Sequence, residues 1–125
     1  MLDFGCGEAS LLIELATHFP SSVFLGFEPG PAAHTASNTA KTLGLDNLSI
    51  ATMQEAHERG PYDLIIASHV MEHLVDFDLL HRLRDSLTES GILYVEVPDS
   101  LHYEDHQRLE FRYYFDRLHV NHFTP

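Results

Sequence analysis

The segment LDFGCGE at residues 2–8 has the pattern of a strand end, a glycine turn and a helix start. Two glycines let the backbone turn sharply and approach a ligand without a Cβ in the way. The first N–H groups of a helix have no partner inside it, so they are free to bind such a ligand. The pattern is typical of the place where an α/β protein holds a nucleotide-like cofactor.

The charges of this turn narrow the choice of cofactor. A dinucleotide fingerprint requires Gly-x-Gly-x-x-Gly, whereas Ser10 stands three positions after Gly7. Glu8 would also repel a pyrophosphate at the helix start, which disfavours NAD and FAD. We therefore expect a ligand with positive charge, and S-adenosylmethionine, which carries sulfonium and ammonium groups, is such a ligand. The turn then has the form Asp-x-Gly-x-Gly-x-Ala, with Asp3, Gly5, Gly7 and Ala9.

Apolar runs and helical periodicities alternate along the rest of the chain. Strands are expected at residues 1–4, 23–27, 48–52, 62–68 and 92–97. Helices are expected over residues 9–19, after Pro31 as far as residue 43, and from Asp76 to a stop at Ser90-Gly91. The sequence therefore predicts an α/β fold, a Rossmann-like, doubly wound and mostly parallel sheet of about five strands. Because the first strand is so short, we expect terminal elements of the sheet to be missing.

The amino-acid composition limits the number of domains, the partners and the location that we expect for the chain. A chain of 125 residues, 44% of them hydrophobic, suffices for one domain. A net charge of −12 without any cluster of basic residues argues against nucleic acid as a partner. The apolar runs are too short for a membrane span, and no secretory signal precedes them. The single cysteine fits a reducing compartment, so we expect a cytoplasmic protein; its oligomeric state is not predicted.

Four segments, in this order, resemble the motifs of class I S-adenosylmethionine-dependent methyltransferases, in the branch that acts on small molecules. They are LDFGCG at residues 2–7, GFEP at 26–29, YDLIIASHVMEH at 62–73 and GILYVEVP at 91–98. The resemblance covers nearly all of the chain. It implies that residues 1–125 are a single partial domain of this family, which transfers a methyl group from S-adenosylmethionine to a small-molecule acceptor.

The resemblance also implies a set of cofactor-binding residues. Asp3, at the end of the first strand, would accept a hydrogen bond from the cofactor's ammonium; the alternative is that it caps the turn. Glu28 stands 21 positions after Gly7, close to the offset at which a carboxylate reaches ribose hydroxyls, although a solvated glutamate is the alternative. The full set is Asp3, Gly5, Cys6, Gly7, Glu28, Pro29, Met53, Gln54, Ser68 and His69.

Two positions depart from the family pattern. After the third strand an acidic residue commonly accepts from the adenine amino group, but TMQE occupies this region at residues 52–55. Met53 would pack on the ring and Gln54 would accept through its amide oxygen, unless Glu55 serves as an acid shifted by one position. Ala9 replaces the third family glycine, which suits a helix start if its φ is negative.

The chemistry of transfer is less defined by the sequence. A histidine is the expected base if the acceptor must lose a proton, but no catalytic residue is assigned. His119 and His122 resemble a family segment on the acceptor side of the cleft. Glu72 and His73 resemble a Glu-His pair whose role is more plausibly structural, and Cys6 is interpreted as a small residue behind the turn rather than a nucleophile.

Two alternatives remain open. His69-x-x-Glu72-His73 matches an inverted zinc-protease motif, which would make the chain a zinc metallohydrolase if the motif lay inside a helix. A third ligand would then have to come from elsewhere, and no metal is assigned. The second alternative is an inactive remnant that still binds the cofactor.

Overall fold

A parallel sheet of five strands forms the centre of the molecule, whose computed structural model describes residues 1–105 and 119–125. The strands are β1 (Leu2–Phe4), β2 (Phe24–Phe27), β3 (Leu48–Ala51), β4 (Tyr62–Ser68) and β5 (Leu87–Glu96). Their order across the sheet is β3-β2-β1-β4-β5, and every neighbouring pair is parallel. The order reverses at β1, so the carboxyl ends of β1 and its neighbours surround the switch point where α/β folds bind ligands.

Helices cover both faces of this sheet. They are α1 (Ser10–His18), α2 (Ala32–Thr42), α3 (Met53–Glu58) and α4 (Asp78–Asp85), and 3₁₀ turns occupy Met71–His73 and Ser100–Asp105. One core cluster includes Leu12 and Ala16 of α1 and Ala36 and Ala40 of α2. A separate cluster contains residues of α3 and α4, among them Ala56, Leu79 and Leu83. The predicted doubly wound α/β sheet is confirmed.

The end of α4 and the start of β5 differ from the sequence prediction. The helix ends at Asp85, and Leu87, which lies within the helix predicted from Asp76 to Ser90-Gly91, instead begins β5 and pairs with Tyr62. Ser90-Gly91, predicted to stop the helix, lies inside the strand, where the register with β4 shifts. A Cβ at Gly91 would lie 2.7 Å from the carbonyl oxygen of Tyr62, so glycine serves the close approach of two strands rather than a helix end.

Some apolar residues in the predicted elements are exposed. Leu11 and Phe19 lie at helical spacing within the predicted helix 9–19, but α1 ends before Phe19 and both side chains are about half exposed. Val23 precedes β2 and is 73% exposed. Helical spacing identifies a face only approximately, since a wide apolar stripe extends beyond the part that touches the sheet.

The segment 119–125 returns to the carboxyl edge of the sheet. The side-chain amide of Asn121 donates to the carbonyls of Met71 at 3.0 Å and Leu74 at 2.5 Å. The backbone N–H of Ser100 donates to the carbonyl of Phe123 at 2.9 Å. The sequence shows no regular pattern over residues 109–123, of which 109–118 lie outside the described residues.

None of the described helices combines the length and the apolar composition that crossing a lipid bilayer requires.

Candidate functional site

The turn after β1 has the backbone geometry that its two glycines suggest. Gly5 and Gly7 have φ angles of +86° and +55°. The N–H groups of Gly5 and Cys6 both donate to the carbonyl of Phe27, at 2.7 and 3.0 Å, so the turn is held against the end of β2. A Cβ at Gly5 would lie 2.5 Å from Cγ2 of Val70, in the segment after β4. The first turn therefore contacts the ends of both strands that flank β1.

Glu28 connects this turn to the end of β2. Its Oε2 accepts from the backbone N–H of Gly7 at 3.1 Å, and its Oε1 accepts from the backbone N–H of Gly30 at 2.7 Å. The glycine turn and the acidic strand end, predicted to hold different parts of one cofactor, thus adjoin each other. Each carboxylate oxygen already has one donor, so hydroxyl groups of a ligand would have to use the remaining lone pairs.

A cavity of about 550 Å³ lies at this edge of the sheet, within the range typical of small-molecule sites. It is lined by residues from the ends of β1 and β2, the start of α3, the segment after β4 and the start of α4. They are Phe4, Gly5, Phe27, Glu28, Pro29, Met53, His69, Val70, His73, Leu74 and Leu79. Half of the predicted cofactor set lines this cavity: Gly5, Glu28, Pro29, Met53 and His69.

The other half of the predicted set does not line the cavity. Cys6 points behind the turn, because its Sγ lies where a Cβ on Gly26 would approach to 2.7 Å. Burial raises the pKa of its thiol to about 12, as expected for a packing residue and not for a nucleophile. Ser68 donates its hydroxyl to Oε2 of Glu96 at 2.9 Å. Gly7 is adjacent through Glu28, whereas Gln54 lines a separate apolar cavity of about 420 Å³.

Asp3 lies below the turn, buried in the middle of the sheet with 6% of its surface exposed. Burial raises the pKa of this carboxyl to about 6. A carboxylate that has lost its hydration in this way gains from the approach of a cationic group. The negative charge of Asp3 would therefore favour a cationic ligand such as S-adenosylmethionine.

The start of α3 resolves one ambiguity at the third strand. The N–H and hydroxyl of Thr52 donate to Oε2 of Glu55 at 2.8 and 2.9 Å, and the Thr52 hydroxyl accepts from the N–H of Glu55. This reciprocal capping box lowers the pKa of Glu55. Glu55 thus caps the helix, and Gln54 is bonded to Glu58 at 2.8 Å. Of Met53, Gln54 and Glu55, only Met53 lines the 550 Å³ cavity.

Ala9 has a φ of +61°, so the condition under which alanine would suit the third glycine position is not met. The residue is fully buried, with its methyl group in the cluster under α1. A left-handed conformation costs a non-glycine residue roughly 1 kcal/mol, which burial of the methyl group offsets.

The segment after β4 brings several titratable groups together. His69 has a φ of +54°, and its Nδ1 lies 3.2 Å from Oε1 of Glu72, whose side chain is 1% exposed. The backbone carbonyl of Glu72 accepts from the N–H groups of Val120 and Asn121, at 2.8 and 3.1 Å. The backbone of Glu72 therefore holds the segment 119–121 against this turn, whereas the structural role predicted for its side chain stays a prediction.

The histidines of this region do not form the zinc-protease arrangement. His69 has left-handed backbone geometry, and Met71–His73 is a 3₁₀ turn, so the two imidazoles are not neighbours on one α-helix face. The metallohydrolase alternative thus lacks the helical geometry that its motif requires.

His119 packs against His73 instead, with ring centroids 4.9 Å apart, and burial together with His73 lowers the pKa of His119. This contact, and the anchoring role of Asn121, were not predicted. No local pattern signals a contact between residues about 50 positions apart.

Three features define a class I methyltransferase fold. They are the glycine turn, Glu28 after β2 with its hydrogen bond to that turn, and the cavity at the switch point of a parallel sheet. Over residues 1–125 the chain matches the family described as Methyltransferase domain. The chain belongs to this family.

Relatives agree with this assignment. The chain is 34% identical over 104 residues to trans-aconitate 2-methyltransferase of Methylobacterium radiotolerans, covering 80% of this chain and 38% of that protein. It is 31% identical over 110 residues to the enzyme of the same name from Deinococcus radiodurans, covering 87% and 42%. The chain thus spans about two fifths of the length of these relatives.

A solved structure supports the fold. The plantazolicin methyltransferase BpumL, in complex with a pentazolic desmethylPZN analog and SAH, superposes with a TM-score of 0.75 at 19% identity. The match covers 96% of this chain and 49% of BpumL.

The residues present fit S-adenosylmethionine, the cofactor of this class. Asp3 and Glu28 supply negative charge at the carboxyl ends of β1 and β2, and none of the described lining residues of the cavity is a lysine or arginine. A cationic sulfonium ligand is compatible with this electrostatic environment, whereas a pyrophosphate is not.

Proposed function

We propose that the chain transfers the methyl group of S-adenosylmethionine to an oxygen of a small organic acid. The observation that carries this proposal is the hydrogen bond from Gly7 N–H to Glu28, which lines the cavity, because it supports a shared cofactor site for these two proposed binding residues. The acceptor class comes from the two relatives named trans-aconitate 2-methyltransferase.

In this proposal the cofactor is held by the residues at the ends of the strands. Asp3 would balance positive charge, Glu28 would accept from ribose hydroxyls, and Met53 would pack on the adenine. Gly5, Cys6, Gly7, Pro29, Gln54, Ser68 and His69 complete the proposed set. When bound, S-adenosylmethionine supplies an electrophilic methyl group.

His69 is proposed to act on the acceptor. Its side chain is 60% exposed at the cavity, while Glu72 beside it is buried. Donation from Nδ1–H to Glu72 would fix the tautomer, so that Nε2 is free to accept a proton from the acceptor. An acceptor that is already ionised needs no base, and only the imidazolium form of His69, with a proton on each ring nitrogen, would donate a hydrogen bond to it. In both cases Glu72 is a positioning residue.

Titration calorimetry with S-adenosylmethionine tests the cofactor site. Gly7→Arg should abolish binding, because a large side chain at a φ of +55° disturbs the turn and adds positive charge beside the ligand. Glu28→Ala should weaken binding by roughly ten- to a hundredfold, the range expected for lost hydrogen bonds to a charged group. Glu89→Ala, an exposed acid on β5, is the matched control and should bind as the wild type does.

Transfer of a labelled methyl group to a panel of small organic acids tests the reaction. Incorporation measured at saturating S-adenosylmethionine that His69→Ala still reduces supports the proposed role of His69, because saturation removes any effect of weaker cofactor binding. Binding without transfer to any acceptor would identify the inactive remnant. Unchanged affinity in both Gly7→Arg and Glu28→Ala would reject the cofactor site itself.

We also propose that residues 1–125 act as one methyltransferase domain in the cytoplasm. A single sheet with two core clusters supports the assignment to one domain. The one cysteine, which is free, supports the cytoplasmic location. Cell fractionation with antibody detection checks the location.

A further inference from the structure

Three side chains that the proposed cofactor site does not use meet beside the cavity. Glu72, His73 and His119 each offer one ligand atom, and these atoms all lie within 4.8 Å of one another. Glu72 follows β4, His73 ends the 3₁₀ turn, and His119 comes from the returning segment 119–125. His73 also lines the 550 Å³ cavity, so the cluster adjoins the space where an acceptor would bind.

The buried carboxylate of Glu72 is the observation that points to a ligand. Its Oε1 lies 3.2 Å from Nδ1 of His69, but its Oε2 is buried and has no hydrogen-bond partner among the described residues. A buried carboxylate oxygen without a partner is costly, and a cation is one of the few groups that compensates it fully. The neighbouring imidazoles are themselves good metal ligands.

We propose that Glu72, His73 and His119 bind a divalent transition-metal ion. Two imidazoles and one carboxylate are a donor set of zinc sites that keep a further position open. Atoms that share one zinc ion at about 2.1 Å lie about 3.4 Å apart in a tetrahedral site, so atoms up to 4.8 Å apart must approach by as much as about 1.4 Å. His73 is exposed, so its movement would not displace a core side chain.

The backbone around the cluster is already held in place. The N–H groups of Val120 and Asn121 donate to the carbonyl of Glu72, and the side chain of Asn121 donates to the carbonyls of Met71 and Leu74. These bonds keep His119 beside the turn without any help from an ion. Little chain entropy is then lost when the ligands close, which favours binding.

The ion would meet an electrostatic need of the proposed acceptor, and in this respect the inference rests on the proposed function. The chain has a net charge of −12, and no described lining residue of the cavity is a lysine or arginine. A carboxylate acceptor would be repelled by this environment. A divalent ion with an open position beside His73 would supply the missing positive charge and orient a carboxylate oxygen.

This site differs from the inverted zinc-protease motif. There His69 and His73 would bind the metal and Glu72 would act as the base. Here Glu72 is itself a ligand, His119 is the third, and His69 stays hydrogen-bonded to Oε1 of Glu72.

Cobalt(II) and zinc(II) titrations of the full chain, purified without a histidine tag, test the proposal. We expect one equivalent of Co²⁺ to bind with visible d–d absorption, and Zn²⁺ to displace it. His119→Ala should weaken Zn²⁺ binding at least tenfold and remove the absorption. His34→Ala, on the exposed face of α2, is the matched control for adventitious binding by histidine and should change neither.

Glu72→Gln provides a second variant, which keeps the size of the buried side chain and removes its charge. It should also lose Co²⁺ absorption, and circular dichroism checks that it folds. Binding that is equal in His119→Ala and the wild type, or the absence of a stoichiometric site, overturns the proposal. S-adenosylmethionine binding measured in parallel separates the two hypotheses, because a metal-free chain that retains the cofactor leaves the proposed function intact.

Discussion

Asp3, a residue of the proposed cofactor site, is a buried titratable group. It lies one residue before the end of β1, next to the glycine turn. Burial raises the pKa of the carboxyl to about 6, so the residue is partly neutral in mildly acidic solution. A cationic ligand binds the ionised form more tightly than the neutral one.

Cofactor affinity should therefore depend on pH through Asp3. The favourable contribution is complete well above pH 6 and is lost as the pH falls through the pKa of about 6. At pH 5 about one tenth of Asp3 is ionised, so affinity for S-adenosylmethionine should be roughly tenfold weaker than at pH 7. Calorimetric titrations across this range measure the slope. Asp3→Asn should bind weakly with a flat profile, and an identical slope in that variant would contradict the assignment to Asp3.

Single residues with local signals were predictable, and residues that act over long distances were not. The spacing of Glu28 from Gly7 predicted a contact with ribose hydroxyls, which stays a prediction; in the structure Glu28 accepts a hydrogen bond from the backbone N–H of Gly7. The ring contact between His119 and His73 joins residues that are separated by 45 others in the sequence. The residues next to each histidine therefore carry no local pattern that predicts the contact. Gln54 was assigned to the cofactor for its amide oxygen, which would accept from the adenine. In the structure its neighbour Met53 lines the main cavity, whereas Gln54 donates to Glu58.

At the level of elements, the strands and their order of appearance followed from the alternation of apolar runs, since buried parallel strands are nearly continuous in hydrophobicity. The boundary between α4 and β5 could not be predicted in this way. Leu87 continues the spacing of Leu83, so periodicity extends the helix, yet pairing with Tyr62 places Leu87 in the sheet. Tertiary pairing decides such a boundary, because a leucine packs well in both elements.

Gly91 allows a test of this part of the sheet. A Cβ there would lie 2.7 Å from the carbonyl oxygen of Tyr62 and 3.0 Å from Cβ of Leu87, so Gly91→Ala must push β4 and β5 apart. We expect the free energy of unfolding to fall by about 1–3 kcal/mol. Urea denaturation measures it, and the neighbouring exposed Ser90→Ala should stay within about 0.5 kcal/mol of the wild type. Equal stability of both variants would mean that this strand is not packed as described.

For the whole molecule, the most informative property of the amino-acid composition is the net charge. A net charge of −12 on 125 residues produces self-repulsion that disfavours the compact state. The doubly wound architecture was predictable at this scale because each element pattern agreed with the others.

Salt should stabilise the chain for this reason. Raising sodium chloride from about 10 mM to about 300 mM shortens the screening length from about 30 Å to roughly 6 Å, which weakens repulsion between distant carboxylates. The urea midpoint should rise, and most of the increase should occur below about 100 mM. A midpoint that falls as salt is added would show that specific ion pairs outweigh the net charge.

The bond from Ser100 to the carbonyl of Phe123 holds together two points of the chain that are 23 residues apart. Residues 119–123 are held by their own contacts with the turn after β4 and with Ser100, which fix where the chain returns to the sheet. A change of sequence among residues 106–118 should therefore leave the glycine turn and Glu28 in place. Selection can then act on that part of the sequence separately from the proposed cofactor site.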